Sequence, residues 1–295
     1  MADLPRLTDD DIRCIVGSDQ ATVYRLGSGG QKVVFRIGDD SPWVLKAIKL
    51  GDGESPKGDQ TILEARARRE GRILSDSNCP YLVAPGRQPL KITFINGQKV
   101  LTFSEEFVDG SNLTDVISNE APLGTVEVKR LALQMSQAIS ALFTNGKIHR
   151  DIKPGNIMRR RNGDFVLLDP GLAFDIRGES LSDRFLVGTQ IYFFPEQFEY
   201  DKRSTNDHRS DQFSLGVVLY EAATGKHPFR SSSTFSSAAI YIRIQHHSPE
   251  ELHKSVRGFP PDLARVIARM MRKRPHLRFP KCDNLIKAIE AAGES

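Results

Sequence analysis

Apolar and polar residues follow a strand-like texture through the first hundred positions and a helical period afterwards. Val23-Tyr24-Arg25-Leu26, Val33-Val34-Phe35-Arg36-Ile37 and Trp43-Val44-Leu45-Lys46-Ala47-Ile48 are rich in β-branched, aromatic and aliphatic residues, which predicts three strands. Gly27-Ser28-Gly29-Gly30 and Gly38-Asp39-Asp40-Ser41 separate them as turns. Ahead of them, Thr8 and Asp11 have capping-box spacing and predict a short amphipathic helix from Asp11 to Val16. A polar loop from Gly51 to Gln60 precedes a helical stretch over about 61–74. Strands return from Lys91 to Phe94 and from Lys99 to Phe107, with Asn96-Gly97 as a hairpin turn. Beyond Gly110 the period changes. Leu131, Met135, Ala138, Ile139 and Leu142 fall on one apolar stripe of a long helix. Ile157-Met158 and Phe165 to Leu168 predict short strands around Asn162-Gly163, a loop-rich stretch runs to about Arg209, and helices dominate from Phe213. The fold class is α+β: a small β-rich half, about 1–108, and a larger, mainly helical half, about 111–295, joined by a short extended segment.

Composition narrows the function. The chain has 295 residues with 41 Lys+Arg against 37 Asp+Glu, a balance too even for a dedicated nucleic-acid binder. No apolar run approaches the roughly twenty residues that span a bilayer. Met1-Ala-Asp-Leu-Pro lacks a basic segment followed by an apolar one, so a cytoplasmic protein without a membrane partner is expected. Cys14, Cys79 and Cys282 lie too far apart for a disulfide framework or a metal knuckle, and fit a reducing compartment. His246, His247 and His253 lack metal-site spacing and read as surface residues. The arginine runs at 66–69, 159–161 and 272–274 read as solvated faces or turns.

The chemistry concentrates in Ile148-His149-Arg150-Asp151-Ile152-Lys153-Pro154-Gly155-Asn156, which places an aspartate, a lysine and an asparagine in one loop after the long helix. A carboxylate can accept a hydroxyl proton, an ammonium can neutralise a phosphoryl oxygen, and an amide oxygen can ligate Mg²⁺; phosphoryl transfer needs little beyond such positioning and charge stabilisation. Asp169, thirteen residues past Asn156, opens Asp169-Pro170-Gly171 beyond the predicted hairpin. Two short strands would return this carboxylate to the same place, where it could share a metal ion with Asn156.

Together these residues resemble the catalytic and metal-binding loops of the eukaryotic-like protein serine/threonine kinase family, and further motifs agree in chain order from residue 26 to about 280. Gly27-Ser28-Gly29-Gly30 is similar to the glycine-rich nucleotide loop, with Val34 at its following valine. Trp43-Val44-Leu45-Lys46 resembles the strand carrying the phosphate-binding lysine. Lys46 and Lys49 lie on opposite strand faces; Lys46, inward with Val44 and Ile48, is the better fit and Lys49 the alternative. Glu70 resembles the helix glutamate that pairs with this lysine. Val187 to Glu196 resembles the end of the activation segment, with Phe194 replacing the usual alanine. Asp211 resembles the aspartate that braces the catalytic loop, and Arg278 the arginine that pairs with Glu196. The resemblance implies a bilobal fold, with a helical extension at 1–20 and a kinase domain at 21–290, its N-lobe at about 21–108 and its C-lobe at about 111–290. It also implies ATP and Mg²⁺ as cofactors and a protein substrate phosphorylated on Ser or Thr, with Asp151 as base, Lys153 stabilising the transferred group, and Lys46 and Glu70 as an ion pair. Asn156 and Asp169 would bind metal. ATP would contact Gly27, Ser28, Gly29, Gly30, Val34, Val44, Lys46, the Glu106 carbonyl, the Val108 N–H and Asn112. A pseudokinase and a small-molecule kinase of the same lobe plan are the competing readings; the oligomeric state is not legible.

Three departures from the family pattern stand out. Lys32 takes the place of the third glycine. Glu105 stands where an apolar or hydroxyl side chain is usual, and a buried carboxylate there needs a partner or water. Pro170 replaces an aromatic, biases Asp169 towards extended backbone and is expected to give a less easily flipped metal loop. Where the pattern is kept, the resemblance implies an activation-loop phosphate served by Arg150, with Ser180 and Ser182 as the candidate sites.

Overall fold

The computed structural model describes residues 4–29, 32–50, 78–169, 191–198, 207–230 and 237–293. They divide between two units, one comprising the chain up to Asn78 with Val83–Val108, the other Cys79–Leu82 with the chain from Asp109 onward.

The first unit begins with helix α1 (Asp9–Val16), whose capping box is complete: the Asp11 N–H donates to Thr8 Oγ1 at 3.2 Å and the Thr8 N–H to the Asp11 carboxylate at 2.8 Å. The helix starts two residues before Asp11 because Asp9 and Asp10 also suit the positive end of its dipole. Strands β1 (Val23–Gly29), β2 (Lys32–Ile37), β3 (Trp43–Lys49), β4 (Lys91–Ile95) and β5 (Gln98–Glu106) form an antiparallel sheet in the order β1-β2-β3-β5-β4. Asn96 and Gly97 both have positive φ, 50° and 74°, as a two-residue hairpin turn requires.

Side chains alternate across this sheet with period two. On one face Val33, Phe35, Ile37, Leu45, Ala47 and Val100 pack against Ile12 and Ile15 of α1. Each of those two isoleucines stabilises the unit by about 1.5–3 kcal/mol through burial. The residues at 1–20, expected as an extension, therefore contribute to the core of the first unit. Val34, Val44, Lys46 and Ile48 take the other face, because the register sets Val34 against Lys46 and Ile48 against Lys32.

The second unit contains β6 (Gly110–Asn112), α2 (Leu113–Glu120), α3 (Thr125–Thr144), β7 (Ile157–Arg160), β8 (Phe165–Leu167), α4 (His208–Thr224), α5 (Ser237–His246), α6 (Leu252–Ser255), α7 (Pro261–Met270) and α8 (Cys282–Ala291). The apolar stripe of α3 is wholly buried. Helix α4 is buried round nearly its whole circumference, polar Ser210, Asp211 and Gln212 included, so it carries no amphipathic period for a sequence to display. Strand β6 pairs with β7 in a three-stranded sheet, β6-β7-β8. Its sequence, Gly-Ser-Asn, has no strand propensity. Glycine is required there because a Cβ at Gly110 would lie 2.0 Å from the Arg159 carbonyl oxygen.

Residues 79–82, grouped by sequence with the β-rich half, belong to the second unit. The Leu167 N–H donates to the Tyr81 carbonyl at 2.9 Å, and Leu82 packs in that unit's core. The arginine run at 159–161 is not simply solvated: Arg159 pairs with Glu120 and Glu127, and Arg161 with Asp109.

Candidate active site

The loop after α3 is shaped by one buried carboxylate. Asp211, near the start of α4, accepts the His149 N–H on Oδ2 and the Arg150 N–H on Oδ1, both at 2.8 Å. Burial pushes this carboxyl up from its ordinary range, against the pull of the His149 ring and the two N–H donors. The grip holds Arg150 at φ +63°, a left-handed conformation that costs a non-glycine residue about 1–3 kcal/mol.

His149 is a buried second brace, whose part the motif contained but sequence reasoning left unassigned. Its Nδ1 accepts the Asp151 N–H at 3.3 Å, so Nε2 carries the proton that bonds the Leu168 carbonyl at 2.8 Å. The Leu168 N–H in turn donates to the Asn156 carbonyl at 2.8 Å. Residue 168 is thus tied on both sides to the loop at 149–156, and Asp169 follows it directly.

The functional side chains of this loop meet. Lys153 Nζ donates to Asp151 Oδ2 at 2.7 Å and Oδ1 at 3.0 Å. Asn156 Nδ2 donates to the Asp151 carbonyl at 2.8 Å and to Oδ2 at 2.9 Å. Because the amide nitrogen is spent on Asp151, the Asn156 oxygen is the atom left to act as a metal ligand. Asn156 and Asp169 would then offer hard oxygen donors of the kind Mg²⁺ takes. The Asp151, Lys153 and Asn156 cluster can orient a hydroxyl at a carboxylate and place a cation beside it.

Asp169 departs from the extended backbone expected before Pro170: its φ is +53°. The bonds that pin Leu168 set the direction in which the chain leaves β8, and this tertiary demand overrides the local preference of a residue preceding proline. Aspartate is among the residues that tolerate the left-handed region.

Asn112 is engaged as a local tether. Its Oδ1 caps α2 by accepting the Thr114 N–H at 2.9 Å, and its Nδ2 donates to the Gly155 carbonyl at 3.0 Å. Both ends of the amide therefore already hold the start of α2 to the loop at 149–156, a use that competes with the expected contact to a nucleotide.

In the first unit, Gly27 lies opposite Val34 and Val34 opposite Lys46, which lines these three positions up across β1, β2 and β3, with Val34 and Lys46 on the sheet face away from α1. Among the described residues a Cβ at Gly27 would meet nothing within 4 Å, so this glycine answers no packing demand there. Ser28 and Gly29 continue the same strand. Lys46 is buried, 4% exposed, beside Val44, whereas Lys49 projects on the face of Leu45 and Ala47; only Lys46 shares the face of Val34. Glu105 is buried beside it and pairs with it, which supplies the partner its position demanded. The Glu106 N–H donates to the Ala84 carbonyl at 3.0 Å, and Val108 is buried where the first unit ends. Gly30, Glu70, Pro170, Ser180 and Ser182 lie outside the described residues.

The expected Glu196 and Arg278 pair is present and completely enclosed. Arg278, 0% exposed, donates twice to the Glu196 carboxylate at 2.6 and 2.9 Å and once each to the carbonyls of Arg209, Arg272 and Lys273. Ser210 Oγ adds a further bond to Glu196 at 2.9 Å. This buried knot fixes Glu196 to the start of α4, the helix that also supplies Asp211.

Residues 21–288 match the family described as protein kinase domain. The chain is 33% identical over 280 residues to the serine/threonine-protein kinase pkn3 of Myxococcus xanthus, a match covering 88% of this chain and 48% of that protein. It is 34% identical over 256 residues to PknB of Mycobacterium leprae, covering 86% and 40% respectively. The chain thus spans less than half the length of these curated relatives. Among solved structures, the PknI kinase domain of Mycobacterium tuberculosis superposes with a TM-score of 0.61 over 92% of this chain and 95% of that one, at 20% identity, a likeness of fold. No helix among the described residues is long and apolar enough to cross a membrane.

Proposed function

The chain belongs to the protein kinase domain family, with eukaryotic-like serine/threonine kinases among its relatives, and on that premise we propose that it transfers the γ-phosphoryl group of ATP to Ser or Thr hydroxyls of a protein substrate in the cytoplasm. The observation that carries this reading is the hydrogen-bonded cluster of Asp151, Lys153 and Asn156 on a loop clamped by Asp211 and His149 and tied through Leu168 to Asp169.

Asp151 orients the acceptor hydroxyl and takes its proton, and its carboxylate is held ready by the Asn156 amide. Lys153 sits against that carboxylate and supplies positive charge where the transferred group acquires negative charge. Asn156, through its amide oxygen, and Asp169 would hold Mg²⁺, which when bound neutralises charge on the nucleotide phosphates. Gly27, Ser28 and Gly29, with Gly30, offer backbone N–H groups to phosphate oxygens, and the open space at Gly27 suits such an approach. Lys46 binds the phosphates as an ammonium, with Glu70 as its helix partner. Val34 and Val44 cover the base, and the Glu106 carbonyl and Val108 N–H bond its edge. Asn112 completes the nucleotide contacts through the second hydrogen of its Nδ2, the first being used on the Gly155 carbonyl.

Incubation with labelled ATP, Mg²⁺ and a generic basic protein tests the reading. Wild type should transfer label to Ser and Thr, and Asp151→Asn should lose on the order of a hundredfold or more in kcat, within the range for a positioned general base. Nucleotide binding without transfer would identify a pseudokinase. Label on a small hydroxylated molecule alone would identify a small-molecule kinase.

A further inference from the structure

Lys46 and Glu105 occupy adjacent strands. The β3–β5 register sets Val44 against Glu105 and Lys46 against Phe103, so both side chains leave the same face one diagonal step apart. They meet there: Lys46 Nζ donates to Glu105 Oε2, with the two residues 4% and 2% exposed. The ammonium also lies 5.8 Å from the centroid of the Phe103 ring. Main-chain pairing runs along these strands through Lys49 and Val100, so both Cα positions are fixed by the sheet itself.

We propose that Glu105 is a positioning residue for Lys46. It anchors the ammonium from within the sheet, so that part of the lysine's orientation is independent of any helix packed on the sheet. This rests on the reading of Lys46 as the phosphate-binding lysine. Three chemical facts support it. An ammonium has three N–H donors, so Lys46 can keep its bond to Glu105 while donating to a phosphate. A buried ion pair is costly to break in half, which makes each partner fix the other. A carboxylate at this position has no packing advantage over the apolar or hydroxyl side chain that the family resemblance leads one to expect, so its use must lie in its charge.

A double-mutant cycle of Lys46→Met and Glu105→Gln, with Glu105→Asp alongside, tests the assignment through both melting temperature and steady-state kinetics. Each single change should lower Tm by about 5 °C or more, and the double variant should lose clearly less than the sum, since it strands neither member of the Lys46–Glu105 pair without the other. Glu105→Gln should reduce kcat by about ten- to a hundredfold while the KM for ATP stays within about threefold, the signature of a misplaced rather than missing group. Glu105→Asp, which keeps the charge but not the reach, should fall between. In the Lys46→Met background, Glu105→Gln should cost no further activity.

An equal loss in both backgrounds, an unchanged kcat for Glu105→Gln, or strictly additive Tm changes would overturn the proposal. If Lys46→Met alone fails to fold, a folded double variant is itself the expected recovery and an unfolded one counts against it. Absence of phosphoryl transfer by the wild type would overturn the parent reading and the positioning role with it; the non-additive Tm would still register the ion pair, which separates the two failures.

Discussion

Replacing Asp211 by Asn removes a single charge with almost no change of shape, and the structure says how much should follow. Both carboxylate oxygens accept a backbone N–H, from His149 and Arg150, each at 2.8 Å. An amide has one acceptor oxygen, so one of these N–H groups must face an NH₂ donor at a site that is 1% exposed. Bonds to a charged acceptor contribute about 1.5–3 kcal/mol each, and a buried donor left without an acceptor costs about 1–3 kcal/mol. Loss of one bond, weakening of the other and the orphaned donor together amount to about 3–5 kcal/mol, offset in part because Arg150 can then relax from its left-handed φ, itself a cost of about 1–3 kcal/mol. A net loss of about 2–3 kcal/mol corresponds to a fall in Tm of roughly 4–12 °C for a domain of this size. Because the loop carries Asp151, the proposed base, kcat should fall by on the order of a hundredfold as that carboxylate loses its position. Thermal denaturation gives the first quantity, and hydrogen exchange at the His149 and Arg150 amides locates it. A variant melting within 1–2 °C of wild type, with those two amides still protected, would refute the claim that Asp211 holds the loop.

Two further outcomes follow from buried groups. Arg278 uses all five of its N–H donors, whereas lysine brings three from one nitrogen and cannot reach the same carbonyls, so Arg278→Lys should lose about 3–5 kcal/mol in urea denaturation; a loss below about 1 kcal/mol would mean that only the charge mattered. Burial holds the pKa of His227 down at about 4, and its Nδ1 accepts the Phe229 N–H at 3.2 Å while Nε2–H bonds the Ile191 carbonyl at 3.0 Å, so the folded state keeps it neutral. The unfolded chain takes up this proton near pH 6.5 and the folded protein only near 4, so stability is full above 6.5 and falls as pH drops through that window, by roughly 3 kcal/mol. Chemical denaturation at pH 7 and pH 4.5 should show this loss in wild type and a smaller one in His227→Gln; equal losses would assign the acid sensitivity to other groups.

Much of the architecture was legible from residue order because local physics decided it. Thr8 and Asp11 can cap a helix with no outside help, Asn96-Gly97 can adopt two positive φ values, and the stripe from Leu131 to Leu142 has one face to bury wherever α3 lies. The loop at 149–156 was equally plain, since Asp151, Lys153 and Asn156 are near neighbours whose meeting needs only a short turn. Helix α4 was legible only from its motif: a helix buried all round displays no period, and its start at His208 depends on the Asp207 cap, which bonds the Arg209 N–H at 2.8 Å. Strand β6 was invisible, because Gly-Ser-Asn forms a strand only when β7 lies beside it.

Residue order alone therefore determined where most of the helices and strands would form, and which side chains are proposed for the chemistry. Tertiary structure decided what holds those side chains. The left-handed turn at Asp169 prevails over its proline neighbour because Leu168 is bonded at both ends, and Glu105 reaches Lys46 because two strands far apart in sequence happen to be in register. Neither fact has a local cause: a backbone preference of a few kcal/mol yields to several long-range hydrogen bonds acting together, and strand register is set by the burial of a whole sheet face rather than by any residue that the register brings into contact.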